Sequence, residues 1–167
     1  MAFTLRPGTV DDAETMVRMH IMSWRESYAH LLPEEFFAER EANIGAQIER
    51  QRTSNLGSAV PLLAHDDDGC LVGIAAAGPG RDEDSPHLLE LYMLYTLRRV
   101  HGAGVGQALV DALLSGEAAY LWVLEGNPRA QAFYRRNGFE PDGKRQLLPP
   151  RWYELPEIRM VRPAVGR

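Results

Sequence analysis

Three glycines at alternate positions, in His101-Gly102-Ala103-Gly104-Val105-Gly106, stand between a strand-like run and an amphipathic helix. Ahead of them lies Leu88-Leu89-Glu90-Leu91-Tyr92-Met93-Leu94-Tyr95, and behind them Gln107-Ala108-Leu109-Val110-Asp111-Ala112-Leu113-Leu114. Strand, glycine turn and helix in that order leave few architectures open. The glycines leave backbone N–H groups uncovered by side chains, and the following helix points the positive end of its dipole at them. That arrangement holds a phosphate or pyrophosphate by main chain alone. The loop therefore reads as the binding place of a phosphorylated cofactor.

At 167 residues the chain reads as one domain, 1–167, long enough for a substantial core. Its net charge of −5 argues against nucleic acid as a partner. Cys70 is the sole cysteine, which excludes an internal disulfide and suits a reducing compartment. It lies beside Gly69 before an apolar run and reads as a buried structural thiol rather than a nucleophile. No apolar stretch is long enough to span a bilayer, and the N-terminus lacks a signal-peptide pattern. The expectation is a cytoplasmic protein with no membrane partner.

Phe3 to Arg6 alternates and ends at Pro7-Gly8, as a short first strand does. Thr9 then precedes Asp11, Asp12 and Glu14, acidic groups placed where a helix N-terminus favours them. Val10, Ala13, Met16, Val17, His20, Ile21 and Trp24 recur at helical spacing and predict a helix over about 10–28. Pro33 fits the first turn of a second helix anchored by Phe36 and Phe37. A third, mostly polar helix over roughly 39–52 belongs on the surface.

Val60 to His65, the turn Asp66-Asp67-Asp68-Gly69 and Cys70 to Ala77 read as a hairpin. Gly78 to Pro86 forms a longer turn, whose Asp82, Glu83 and Asp84 require only solvent and not a metal. A strand over about 87–96 leads to the glycine loop, and a helix over 104–115 follows it. Ala119 to Leu124 is another strand. Asn127-Pro128 opens a helix closed by Asn137-Gly138. Phe139 onward and Tyr153 to Arg162 form the last two strands. Consecutive hairpins and a terminal strand pair predict a mixed sheet with helices on both faces, not an all-parallel one.

A Rossmann-type dinucleotide protein is one reading of the loop, with Glu125 near the distance of a ribose-binding acid. Yet the spacing is G-x-G-x-G, with Gln107 where the third fingerprint glycine belongs, and too little chain follows for two nucleotide-binding halves. A P-loop is excluded because no Lys-Ser or Lys-Thr follows.

Glu90 to Tyr95 runs into the glycine loop, a second strand ends at Glu125-Gly126-Asn127, and a helix carries Ala130 to Phe139. Over nearly the whole chain this arrangement resembles the GNAT superfamily of acetyl-CoA-dependent N-acetyltransferases. The run Ser23-Trp24-Arg25-Glu26-Ser27-Tyr28-Ala29-His30-Leu31-Leu32-Pro33 looks like the opening of one bacterial branch. The resemblance implies an α/β (α+β) fold: a mixed, mainly antiparallel sheet of six to seven strands, helices on both faces, and a splayed central parallel strand pair. It implies that the pantetheine arm pairs with the backbone of Leu94, Tyr95 and Thr96. The pyrophosphate then sits on the amides of Gly102, Ala103, Gly104, Val105, Gly106 and Gln107. His101 stands at the first loop position, where the family has Arg or Gln, and Arg98 and Arg99 lie upstream as further sources of charge. Asn127 matches the family's side-chain contact to pantetheine.

Acyl transfer from a thioester to an amine needs a neutral amine, a polarised carbonyl and a protonated leaving thiolate. Tyr134 matches the family's general acid, and a phenol with a pKa of about 10 carries its proton at neutral pH. Glu90 is the best-placed base, with a water chain as the alternative. His20, Trp24 and Tyr28, one turn apart, either line the acceptor pocket or pack the helix on the sheet. The implied activity is transfer of acetyl from acetyl-CoA to a primary amine by direct attack in a ternary complex. The acceptor class spans small amines and protein N-terminal or lysine amines. An acyl-CoA sensor of the same fold without turnover is the other reading. The resemblance also allows a homodimer through the C-terminal strand pair.

Overall fold

The alternation and helical spacing of the sequence become elements in the expected order. The computed structural model describes residues 2–53, 59–84 and 88–164. Among them are strands β1 (Phe3–Pro7), β2 (Leu62–Asp66), β3 (Leu71–Pro79), β4 (Leu89–Thr96), β5 (Ala119–Leu124), β6 (Glu140–Leu147) and β7 (Pro156–Arg162). The α-helices are α1 (Ala13–Tyr28), α2 (Glu34–Ala42), α3 (Ile44–Thr53), α4 (Val105–Leu114) and α5 (Pro128–Arg136). The strand order is β1-β2-β3-β4-β5-β7-β6. β4 and β5 run parallel, whereas β1–β2, β2–β3, β5–β7 and β6–β7 are antiparallel. The chain packs as two compact bodies, Met1–Ala76 with Met93–Leu113, and Ala77–Tyr92 with Leu114–Arg167.

In the first body the pleat divides the core in two. Leu63 and Ile74, paired across β2 and β3, pack with Met16 and Met19 of α1. Their strand neighbours Ala64 and Ala75 pack with Val105 and Leu109 of α4. Each fully buried leucine contributes roughly 1.5–3 kcal/mol relative to an exposed one. Gly73 sits where α4 comes closest: a Cβ there would lie 2.9 Å from Val105 Cγ1 and 3.0 Å from Leu109 Cδ1. Glycine at this position is what lets the helix approach the strand.

Four expectations change here. The helical stripe does not begin at Val10, which is 52% exposed in a 3₁₀ turn, Val10–Asp12. Asp12 winds that turn by accepting from Thr9 N (2.8 Å), Thr9 Oγ1 (2.9 Å) and Arg6 Nη2 (2.5 Å). The third helix starts later than 39, because Asn43 closes α2 with φ −98° and ψ 19°; its Nδ2 donates to Glu39 O at 2.9 Å. Nor is α3 purely a surface helix, since Ile48 is buried with Ala13, Val17 and Ile21. Cys70, finally, is exposed rather than buried. It ends the hairpin turn, where Asp66 Oδ1 accepts from Asp68 N (3.1 Å) and Cys70 N (2.9 Å) and Gly69 has φ +76°.

In the second body β5 pairs with β7 along its whole length, Ala119↔Arg162 to Leu124↔Glu157. Its parallel ladder to β4 covers Leu89–Leu91 and Ala119–Leu121, although the two strands run on to Thr96 and Leu124. The strand expected from 87 is observed from Leu89; His87, like Ser85 and Pro86 of the preceding turn, lies outside the described residues. The last strand begins at Pro156 and not at Tyr153. A 3₁₀ turn, Pro150–Trp152, is followed by left-handed Tyr153 (φ 58°) and Glu154 (φ 51°), a conformation incompatible with a strand. β6 is exposed along its entire length, and its register slips between Pro141 and Arg145, around Gly143 with φ +91°.

Candidate functional site

The glycine loop occupies the first body. Leu97 N donates to Val72 O (3.0 Å), a 3₁₀ turn follows at Arg98–Val100, and Gly102 (φ +84°) and Gly104 (φ +86°) take left-handed conformations that glycine adopts at no steric cost. A Cβ on either glycine would meet no atom within 4 Å, so the main chain is open on that side. Val105, Gly106 and Gln107 form the first turn of α4, at the positive end of its dipole. Val105 itself is buried against β3, and the Gln107 side chain donates to Asp111 Oδ1 (2.8 Å). What this loop presents is therefore the open backbone of Gly102 and Gly104 beside the positive end of a helix.

Its flanking charges are already engaged. Arg99 Nη1 is 2.6 Å from Asp66 Oδ2. Arg98 N donates to Glu26 Oε2 at 2.6 Å, and Arg98 Nη2 to Glu26 O at 2.6 Å. The Arg99 guanidinium thus pairs with a carboxylate and that of Arg98 with a backbone carbonyl at the end of α1. His101 Nε2 lies 3.2 Å from Thr96 O, which ties the loop back to the end of β4.

Upstream of the loop, Leu94 packs with the α4 cluster and Tyr95 with the α1 side. The structure gathers the sequence-selected residues of α1 around Tyr95. Ring centroids of His20 and Trp24 lie 4.6 and 6.3 Å from it, and Tyr28 is 4.7 Å from Trp24. Trp24 and Tyr28 are buried. His20 Nε2 is buried with no hydrogen-bond partner. Desolvation, and then the charge of Arg40, lower the imidazole pKa to about 4, so His20 is neutral at physiological pH.

The second body holds Glu90, Asn127 and Tyr134. Glu90 is 3% exposed and accepts from Arg81 N (3.1 Å), Arg81 Nε (3.0 Å), Arg81 Nη2 (2.6 Å) and the Tyr120 hydroxyl (2.9 Å). Burial would raise its pKa, but the bonds from Arg81 and Tyr120 outweigh that and hold it below the ordinary carboxylate range. The Arg81 guanidinium also lies 4.3 Å above the Tyr92 ring. Sequence reasoning missed Arg81 and Tyr120, which come from other segments. It missed Glu157 as well, whose pKa burial raises, with Glu90 adding to the effect against a bond from Gln146.

Asp82 and Asp84 are held by arginine. Buried Arg159 donates to Asp82 (2.9 Å), Asp84 (2.9 Å) and Asp142 (2.7 Å), and Lys144 pairs with Asp84. No group of three or more potential metal ligands occurs among the described residues. A cleft of about 670 Å³ lies over this network, with Trp122, Arg81 and Lys144 in its lining.

Asn127 caps α5, its Oδ1 accepting from Ala130 N at 3.0 Å, with Pro128 at the first helical position. Tyr134 is buried on the same helix, edge-to-face with Phe133 (5.5 Å) and Phe139 (5.9 Å). Phe139 N donates to Tyr134 O (3.0 Å) as Gly138 (φ +81°) ends the helix. One helix therefore fixes Asn127 and Tyr134 together.

No helix among the described residues is long and apolar enough to cross a membrane. Residues 16–139 match the Acetyltransferase (GNAT) family. The chain is 28% identical over 131 residues to an uncharacterized N-acetyltransferase of Bacillus subtilis, YuaI, covering 75% of this chain and 73% of that one. It is 32% identical over 119 residues to an uncharacterized N-acetyltransferase of Mycobacterium bovis, Mb2688, covering 68% and 72%. In fold it is similar to the PaiA N-acetyltransferase of Thermoplasma acidophilum, crystallised in complex with coenzyme A. The TM-score is 0.70, with 20% identity, covering 98% of this chain and 99% of that one.

Proposed function

Because the chain belongs to the GNAT acetyltransferase family, we propose that residues 1–167 form one domain that transfers acetyl from acetyl-CoA to a primary amine by direct attack in a ternary complex. The observation that carries this reading is the open main chain of Gly102 and Gly104 at the start of α4. It supports pyrophosphate held at the main chain of Gly102, Gly104, Val105, Gly106 and Gln107, with His101 and Ala103, whose amide donates to Val100 O (3.2 Å), flanking them. The backbone of Leu94, Tyr95 and Thr96 pairs with pantetheine, and Asn127 contacts the same arm. The amine nitrogen attacks the thioester carbonyl, the C–S bond breaks, and Tyr134 gives its proton to the departing thiolate.

The proton released by the amine leaves through water. Glu90 already accepts from Arg81 and Tyr120 and is held ionised, which makes it a weak direct base; its part is to fix Arg81. His20, Trp24 and Tyr28 line the place of the acceptor, a small amine or a protein amine. The Ser23 to Pro33 run supports a place in one bacterial branch of the family, and its single cysteine suits a cytoplasmic setting.

Isothermal titration with acetyl-CoA and with NAD, followed by thiol release across an amine panel, tests the reading. Acetyl-CoA binding with amine-dependent release is expected. Binding of NAD alone would overturn it, and acetyl-CoA binding without release for any amine would favour a sensor.

A further inference from the structure

The turn that delivers the chain into the glycine loop is held by a carboxylate of a distant helix. Glu26 lies in the last turn of α1, where backbone carbonyls lack intrahelical donors. Its Oε2 accepts from Arg98 N at 2.6 Å, the first amide of the 3₁₀ turn Arg98–Val100, which likewise has no partner within its own turn. In return Arg98 Nη2 donates to Glu26 O at 2.6 Å, satisfying one of the orphan carbonyls. The two bonds are reciprocal: an anion at the start of one helical turn, a cation at the end of another helix. On its other sides the same turn is tied by Leu97 N to Val72 O and by Arg99 to Asp66. His101, the next residue, closes the turn through His101 N to Arg98 O at 3.0 Å.

We propose that Glu26 is a positioning residue for the cofactor: by capping the Arg98 amide it sets the path of the chain into the Gly102–Gly106 cradle and ties that cradle to α1. This rests on the reading of the loop as the pyrophosphate site. It also gives Arg98 a structural task, its guanidinium facing the end of α1 and not the anion. Since α1 carries His20, Trp24 and Tyr28, one contact links the helix assigned to the acceptor with the loop assigned to coenzyme A.

The experiment is titration of the full chain with coenzyme A, together with steady-state kinetics, for wild type, Glu26→Ala, Glu26→Gln and Arg98→Ala. Loss of one charge-assisted bond predicts that Glu26→Ala raises Kd for coenzyme A and KM for acetyl-CoA by about ten-fold, with kcat nearly unchanged. Glu26→Gln keeps an oxygen that accepts the same amide and should restore most of the affinity. Arg98→Ala keeps the backbone amide and should weaken binding less than Glu26→Ala does. If Arg98→Ala is the more damaging change, Arg98 contacts the phosphates and the proposal fails. Wild-type affinity in Glu26→Ala, or equal loss in kcat and affinity without rescue by Gln, overturns it too. Failure of the wild type to bind coenzyme A would instead overturn the reading of the loop.

Discussion

Gly104→Glu separates the anion-binding task proposed for the loop from its task in folding. Gly104 has φ +86°, and a Cβ added to it meets nothing within 4 Å. The substitution therefore costs backbone strain and no steric clash. An L-residue in the left-handed region costs about 1–2 kcal/mol, equivalent to a fall in Tm of roughly 2–8 °C for a chain of this size. The effect on coenzyme A is much larger. A carboxylate about 4 Å from a bound phosphate charge is repelled by about 4 kcal/mol at an effective dielectric constant of 20, or roughly a thousand-fold in Kd. Solvent at the open loop reduces this, so at least about a hundred-fold loss is expected. Gly104→Ala carries the strain without the charge and should lose less than about ten-fold. Titration calorimetry with coenzyme A at low and high salt, beside thermal melts, provides the readout; salt should partly restore binding to the Glu variant and leave the Ala variant alone. A Glu variant that binds coenzyme A within about three-fold of wild type would refute the placement of the anion at this loop.

Tyr134→Phe should lower kcat by about ten-fold or more and leave affinity for acetyl-CoA nearly unchanged, as for an acid acting in the transition state; full activity would remove Tyr134 from the mechanism. Gly73→Ala forces a Cβ to 2.9 Å from Val105 Cγ1 and should destabilise the fold by about 1–3 kcal/mol, seen as a lower Tm; an unchanged or higher Tm would contradict the packing of α4 on β3. For His20 the sign follows from a folded pKa of about 4 below the unfolded value of about 6.5. Above that window both states are neutral and nothing is lost. As pH falls through it, the unfolded chain takes up a proton that the buried imidazole refuses, and stability drops by about 3 kcal/mol. Denaturant titrations at pH 7 and pH 5 should show about 2 kcal/mol of this drop in wild type, the rest following below pH 5, and less of it in His20→Phe; identical pH dependence would exclude His20 as its source.

Features set by adjacent residues are legible in the sequence itself. The left-handed glycines, the Asn127-Pro128 helix start and the Asn137-Gly138 stop depend on φ preferences and capping groups within a few positions. Contact between distant residues leaves no such local mark. Glu26 and Arg98 are 72 residues apart in the chain, and no periodicity announces their pairing. Glu90 reads as a base because its strand is visible, while the Arg81 and Tyr120 groups that occupy it come from a turn and from β5. Cys70 reads as buried because an apolar run follows it, although it still belongs to the turn whose hydrogen bonds turn it outward. Val10 matches the apolar spacing of α1, but Asp12 tightens the backbone there into a 3₁₀ turn and moves Val10 off the buried stripe.

The exposed strand β6 ends the sheet, and the way it ends bears on how the protein behaves in a crowded solution. A bare sheet edge is a template for other strands, and proteins that keep one tend to aggregate. Here Pro141 removes a donor, the register breaks around Gly143, and Lys144 and Arg145 are anchored to Asp84 and Glu125. Another chain could lengthen the sheet at β6 only by bridging that break. Self-association through β6 and β7 would have to use their side-chain faces, and an extract held at high concentration should stay clear of fibrous assemblies seeded at this edge.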